Sequence, residues 1–164
     1  MRKIDSYGLH LCETQAKAFE MSSYVMENSS EIFIRRFMNS NVASEIDENI
    51  YYERSLTGSD LLDDITEQYG ISNYGKVKYT GNELYWMGYL YRYMAYTYAL
   101  SSKQVYKLVK PSELRKLYEP YHTMDTAAAI ERILESKNML LDEEGELQRQ
   151  YEIFKRIRQG KSKE

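Results

Sequence analysis

The chain has one cysteine and is short of the residues that punctuate β structure. Cys12 is the single thiol among 164 residues, so no disulfide can form within the chain, and a reducing cytoplasm is the expected compartment. There are only 8 glycines and 2 prolines. A turn-dense β-sandwich needs more of both, so the composition favours helices.

Long apolar runs are missing as well. The first residues, MRKIDSYGLHLCETQ, contain no apolar stretch of the kind that a signal peptide requires. The best apolar window, Leu84–Leu100, covers 17 residues and carries Arg92 in its middle. A membrane span needs about 20 mostly apolar residues, so we expect no membrane partner.

Catalytic and metal-binding signatures are also lacking. The two histidines, His10 and His122, show no spacing typical of a zinc site. The adjacent acids Asp63 and Asp64 would point about 100° apart on a helix, which is unsuited to paired carboxylate chemistry. No phosphate-binding glycine loop or nucleophile elbow is present. We expect no enzyme activity, catalytic residue, metal or cofactor, with an enzyme centred on His122 as a distant third class of function.

Tyrosine is what the sequence has in excess. It contains 17 tyrosines against 4 phenylalanines, and six tyrosines lie beside the single tryptophan in Leu84–Tyr98, LYWMGYLYRYMAYTY. A buried tyrosine needs a partner for its hydroxyl, so a repeated choice of tyrosine indicates a surface that is partly packed and partly wet. Such side chains are enriched in protein contacts.

Helical spacing of apolar residues predicts an all-α fold with six or seven helices in one bundle-like domain over 1–160, and a frayed charged tail at 161–164. In the tyrosine-rich helix, opened by Asn82, we expect an inner face of Leu84, Met87, Leu90, Tyr91, Met94, Ala95 and Tyr98. The candidate partner-contact residues are Tyr85, Trp86, Tyr89, Arg92, Tyr93 and Tyr96. The alternative is that about half of all the tyrosines in this helix are core residues with a wet hydroxyl.

Caps and breakers predict the remaining boundaries. In the first half of the chain we expect a helix over Ser6–Met26, a second that Ser29 or Ser30 caps and that extends toward Val42, and a third that Ser59 caps and Gly70 ends. After the tyrosine-rich helix we expect one that Ser101 or Ser102 caps and one that begins at Pro111 and ends at Pro120. Asp125 should cap the next, and a last helix should run from Leu141 and fray after Arg158. The expected irregular segments are Asn49–Leu56, a loop or short extended piece, and Ile71–Gly81, a loop or small hairpin.

Charge is unevenly distributed along the chain. Glu45 to Gly70 holds eight acids and one base, whereas Lys76 to Tyr118 holds eight bases and two acids. These stretches form either two solvated faces that partly neutralise each other or a basic surface for an anionic partner. Two short basic helices at 101–118 resemble a helix-turn-helix, so a DNA-binding regulator is the alternative function. Its candidate contacts are Lys103, Gln104, Lys107, Lys110, Arg115 and Lys116.

Three segments carry a resemblance to known proteins: SSEIFIRRFMNSNVA (Ser29–Ala43), YWMGYLYRYMAYTY (Tyr85–Tyr98) and LRKLYEPYHTMD (Leu114–Asp125). In their residues and in their order along the chain, they resemble a group of small, largely uncharacterised Gram-positive bacterial proteins. These proteins are encoded beside ADP-ribosyltransferase-like toxins. The resemblance covers roughly Ser29 to Leu134. It implies a cytoplasmic antitoxin or accessory partner that binds a toxin protein, and it carries over no binding residues.

Overall fold

The computed structural model describes residues 1–49, 56–137 and 143–158, the last range with side chains from residue 151 onward. Ten helices and no strand occur in these ranges, which confirms the all-α prediction, although the predicted six or seven helices are too few. The helices are α1 Ser6–Val25, α2 Ser30–Met38, α3 Asn41–Asp47, α4 Gly58–Tyr69, α5 Gly81–Thr97, α6 Ser102–Leu108, α7 Pro111–Lys116, α8 Tyr118–Tyr121, α9 Thr126–Ser136 and α10 Glu143–Arg158.

Two helices that the sequence pattern predicted as continuous are each divided into two in the structure. Ser40 separates α2 from α3: its hydroxyl donates to the Phe37 carbonyl at 2.6 Å and accepts from the Ala43 N–H at 3.1 Å. One serine side chain thus ends one helix and caps the next. The helix expected to end at Pro120 stops at Lys116, and Pro120 lies inside the four-residue α8.

Short polar side chains decide where the helices begin. Asp125 and Ser101 cap α9 and α6 as predicted. Thr57, two residues before the predicted Ser59, caps α4, and Thr80 caps α5, which therefore opens at Gly81. Both threonines have an acid three residues later that accepts from the cap's own N–H, and this reciprocal pair outcompetes the later candidates.

The chain divides into two compact units, Met1–Pro120 and Tyr121–Glu164. In the second unit α9 buries one face, Ala129, Ile130, Ile133 and Leu134, and the predicted helical tail is present as α10. The single-domain prediction over 1–160 stays a prediction. Most of Asn49–Leu56 and the chain beyond Arg158 fall outside the described residues.

The core of the first unit is built around Phe19. Its ring meets Phe33 and Phe37 edge-on at centroid distances of 5.4 and 5.2 Å, and Tyr91 at 6.4 Å. All four side chains are essentially inaccessible to solvent. Edge-to-face aromatic packing of this kind adds roughly 0.5–1.5 kcal/mol per pair beyond the area it buries.

Helices α1 and α5 run antiparallel and in close contact. Gly8 lies beside Tyr96 at one end of the pair, and Gly88 lies against Ala16 and Phe19 nearer the middle. The Gln15 side chain donates to the Gly88 carbonyl at 3.1 Å. Because the two backbones approach so closely, the outer flank of α5 lies directly beside the exposed edge of α1.

The segment from Gly70 to Thr80 is a loop, one of the two structures predicted for it. Its backbone satisfies donors at the start of α2: the Ser29 N–H donates to the Tyr74 carbonyl and the Ser30 N–H to the Val77 carbonyl, each at 3.0 Å. In return the Tyr79 N–H donates to the Ser30 hydroxyl at 2.8 Å. The loop is thus fixed to α2 by both backbone and side-chain bonds.

Candidate functional site

The predicted inner face of α5 is buried in full. Its seven members are Leu84, Met87, Leu90, Tyr91, Met94, Ala95 and Tyr98, none more than 6% exposed. The Tyr91 hydroxyl donates to the Val109 carbonyl at 2.5 Å, which provides the polar partner that a buried tyrosine needs. Burial raises the pKa of Tyr91 well above its ordinary value.

Three tyrosines form a row along the outer flank of α5. The rings of Tyr85 and Tyr89 stack at a centroid distance of 6.4 Å with 22° between their planes, and those of Tyr89 and Tyr93 lie 6.3 Å apart at 30°. A four-residue spacing places them on one helix face. Tyr85 is exposed and the other two are half-buried. We call these three residues the tyrosine ladder.

Electrostatic effects place charged residues of α1 along the ladder. Burial, followed by the charges of Glu13 and Glu20, raises the pKa of Tyr85. Burial also raises the pKa of Tyr89 to about 12, so its phenol is neutral at physiological pH. Lys17 pairs with Glu20 at 3.0 Å on the same edge. The ladder therefore has a charged margin on its α1 side.

Tyr24 is a further exposed tyrosine of α1 and was not among the predicted contacts. It is 69% exposed near the end of α1. The hydrogen bond and charge of Glu20 raise the pKa of Lys17, with smaller contributions from Tyr24 and Tyr85, so Lys17 lies within electrostatic reach of both rings. The sequence gives no signal for it, because its neighbourhood depends on how α1 packs against α5.

Trp86 and Tyr96 are partly engaged within the protein. Trp86 meets the Tyr118 ring edge-on at 5.7 Å and is half-buried. The Tyr96 hydroxyl donates to the Asp5 carboxylate at 2.8 Å, and the Arg2 guanidinium lies 4.1 Å from its ring centroid. Tyr96 thus holds the N-terminal segment against α5, and neither residue continues the stacked row.

Arg92, one of the predicted partner contacts, lies inside the protein and not on its surface. Its side chain is 2% exposed. Its Nε donates to Gln15, its Nη1 pairs with Asp47 at 2.6 Å, and its Nη2 donates to Ser102 at 2.8 Å. All three guanidinium nitrogens are thus occupied, by side chains from α1, α3 and α6.

The candidate DNA contacts divide into exposed and engaged residues. Lys103, Lys107, Lys110 and Lys116 are exposed. The Gln104 side chain instead closes the capping box of α6, accepting from the Ser101 N–H at 2.8 Å. Arg115 donates to both Glu83 oxygens at 3.2 Å and lies 4.2 Å from the Tyr79 ring centroid.

Helix α7, the second helix of the pair, has six residues. At 1.5 Å per residue it spans roughly 9 Å, which is short for a helix that must lie along a major groove. The exposed lysines thus provide positive charge without an extended recognition helix.

Within the ranges that the structure describes, no group of three or more histidine, cysteine or acidic side chains is arranged to hold a metal ion. None of the described helices is both long and apolar enough to cross a membrane. No protein-family model, curated protein or solved structure matches the chain.

Proposed function

We propose that the chain is a non-enzymatic protein-binding module whose contact surface centres on the tyrosine ladder. The main support is the stacked row of Tyr85, Tyr89 and Tyr93 on the outer flank of α5, a helix whose inner face is already buried. Tyrosine is large, rigid and amphipathic, so it buries much area on binding at a low cost in conformational entropy.

The surroundings of the ladder support this proposal. Glu13, Lys17 and Glu20 of α1 border the ladder, and Tyr24 is a further exposed tyrosine near the end of the same helix. An aromatic centre with a charged margin is the usual anatomy of a protein interface. The margin would orient the partner by charge complementarity, while the rings would supply most of the affinity.

The partner that we propose is a toxin protein encoded beside this chain, which the resemblance of Ser29–Leu134 to toxin-adjacent bacterial proteins supports. Neutralisation by steric occlusion requires no catalytic activity of the antitoxin. It requires only a surface that binds over the functional surface of the toxin. A cytoplasmic location belongs to the same proposal.

The test is co-expression with the product of the neighbouring gene. A gene that is tolerated only together with this chain supports the proposal. Tyr89→Ala and Tyr93→Ala should each weaken binding of the purified product by about thirtyfold, as a hot-spot loss of about 2 kcal/mol implies. Both variants should keep a nearly unchanged unfolding transition.

Tyr151→Ala is the matched control, since Tyr151 is an exposed tyrosine of the second unit, 60% exposed. It should bind normally. If both ladder variants also bind normally, or if both unfold the first unit, the ladder is structural and the proposal fails.

DNA binding is the second candidate function, and the four exposed lysines in and between α6 and α7 favour it. Charge reversal of Lys107 and Lys110 to glutamate should then weaken binding to the upstream operon DNA, and wild-type affinity should fall steeply with salt because bound phosphates release counterions. A mobility assay at low salt measures both effects. An affinity that the double variant leaves unchanged excludes these lysines as the DNA contact.

A further inference from the structure

A groove of about 620 Å³ lies between α2 and the start of the Gly70–Thr80 loop, away from the tyrosine ladder. Its walls include Glu27, Arg35, Arg36, Ile71, Asn73 and Tyr74. This volume is within the range of ordinary ligand and peptide sites. Every residue named here belongs to the first unit.

Two large apolar side chains stand out from the loop side of the groove. Ile71 is 85% exposed and Tyr74 is 73% exposed. The loop that carries them is anchored, since the Tyr74 carbonyl accepts from the Ser29 N–H at 3.0 Å. Exposed apolar side chains on an anchored backbone are typical of a contact surface.

The α2 side carries two adjacent arginines, Arg35 and Arg36. Neither Arg35 nor Arg36 forms an ion pair with any residue that the structure describes, whereas Arg92 and Arg115 each pair with a carboxylate. The Arg36 Nη1 donates to the Gly70 carbonyl at 3.3 Å, and its guanidinium lies 5.2 Å from the Tyr69 ring centroid. A guanidinium has five N–H donors, so this one bond orients Arg36 and leaves donors for a ligand.

We infer that this groove binds an acidic segment of a partner protein, with a carboxylate on Arg35 and Arg36 and an apolar side chain against Ile71 and Tyr74. Arginine pairs carboxylates through two parallel bonds, which fixes the orientation of the segment. The exposed apolar side chains of Ile71 and Tyr74 line the same groove as the two cations, so the groove suits a peptide that carries both carboxylates and apolar side chains. The inference does not depend on the tyrosine ladder.

The experiment uses the full chain, labelled with ¹⁵N, and the capped hexapeptide Glu-Leu-Glu-Glu-Leu-Glu as probe. Titration up to about 5 mM covers contacts of ordinary peptide weakness. Saturable amide shifts are expected at Arg35, Arg36 and Asn73, and they should shrink as salt is added. A peptide with glutamine in place of each glutamate should bind at least about tenfold more weakly, as expected when charged hydrogen bonds become neutral.

Two double variants complete the test. Arg35→Gln with Arg36→Gln should abolish the shifts, whereas Lys107→Gln with Lys116→Gln, which removes two exposed charges elsewhere, should preserve them. Absence of shifts, shifts confined to other helices, equal binding of the glutamine peptide, or stronger shifts with a thymidine hexanucleotide would each overturn the inference. None of these outcomes bears on the ladder, because its test uses different residues and a different binding partner.

Discussion

Arg92 joins four helices through one guanidinium. Its bonds reach Gln15 on α1, Asp47 on α3 and Ser102 on α6 from its own place on α5. Asp47 accepts in addition from the Ser102 N–H and hydroxyl, each at 2.8 Å. The ionic pair is therefore enclosed by further hydrogen bonds, which offset the cost of taking both charges out of water.

Arg92→Met should lower the free energy of unfolding by about 3–5 kcal/mol, because it leaves the Asp47 carboxylate nearly buried without its cation. Urea unfolding measures the change. Asp47→Asn in the same chain should recover part of the loss by removing the stranded charge.

Arg115→Met is the matched control for that experiment. Its ion pair with Glu83 is more exposed, with 37% of the Arg115 side chain accessible. The loss there should be at most about 1 kcal/mol. Equal losses of unfolding free energy at the two arginines would show that burial does not determine how much the Arg92–Asp47 pair contributes to stability.

The sequence marks Arg92 as unusual without giving its partner. A lone cation inside an apolar helix suggests either an exposed flank or a buried pair, and periodicity assigns it to the flank. The acid that decides the matter, Asp47, is 45 residues away. Pairings over that distance depend on how the helices pack, which a single sequence does not contain.

The close approach of α1 and α5 depends on small residues. A Cβ added at Gly88 would lie 2.7 Å from the Phe19 Cγ and 3.1 Å from the Ala16 Cα, so the helices would have to separate. Gly81 lies at the start of the same helix, where an added Cβ would meet only the Glu20 Cγ at an ordinary 3.6 Å.

Gly88→Ala should therefore destabilise the protein by about 1–3 kcal/mol through overpacking, although alanine is the better helix former. Gly81→Ala should be neutral or slightly stabilising. Thermal or urea unfolding of the two variants gives the comparison. A Gly88→Ala protein as stable as Gly81→Ala would mean that the helix pair relaxes without cost.

At the level of helices, spacing predicted more than capping did. The inner face of α5 follows from the period of 3.6 residues because tertiary contacts and amphipathicity agree there. The starts of α4 and α5 were missed because several polar residues compete as caps, and an acid three residues later decides between them. The ladder follows from the same spacing as the inner face, whereas Trp86 and Tyr96 contact residues outside their own helix.

Across the whole molecule, the acidic and basic stretches meet at least once in the interior. Asp47 belongs to the acidic stretch and Arg92 to the basic one, and they form the buried pair. Other bases of that stretch stay outside, including Lys103 and Lys107. The charge asymmetry is thus partly used to hold helices together, with a remainder on the surface.

Alkali should destabilise the fold from about pH 10 upward. Groups whose pKa burial raises are Tyr79, Tyr85, Tyr89, Tyr91, Tyr96 and Tyr106. The unfolded chain loses phenolic protons near pH 10, whereas folded Tyr89 keeps its proton to about pH 12, so the folded state binds more protons in between and stability falls with pH. Lys78, whose pKa burial lowers, acts in the opposite sense.

Urea midpoints measured from about pH 7 to pH 11 should be level up to about pH 9 and then fall. Tyr91→Phe should make the fall less steep, whereas Tyr74→Phe, at a 73% exposed position, should leave the slope unchanged. Urea midpoints that stay level up to about pH 11 would contradict this expectation.

The single cysteine gives the molecule a built-in reporter. Cys12 faces the α5 side of α1, is 0% exposed, and has a pKa that burial raises to about 12. A thiol reagent therefore reacts only when α1 separates from α5. The labelling rate at neutral pH then measures how often this opening occurs. A partner that binds across the ladder and α1 would hold α1 in place and lower the rate of Cys12 labelling. Binding of an unlabelled protein could then be followed by the slower reaction of the thiol reagent.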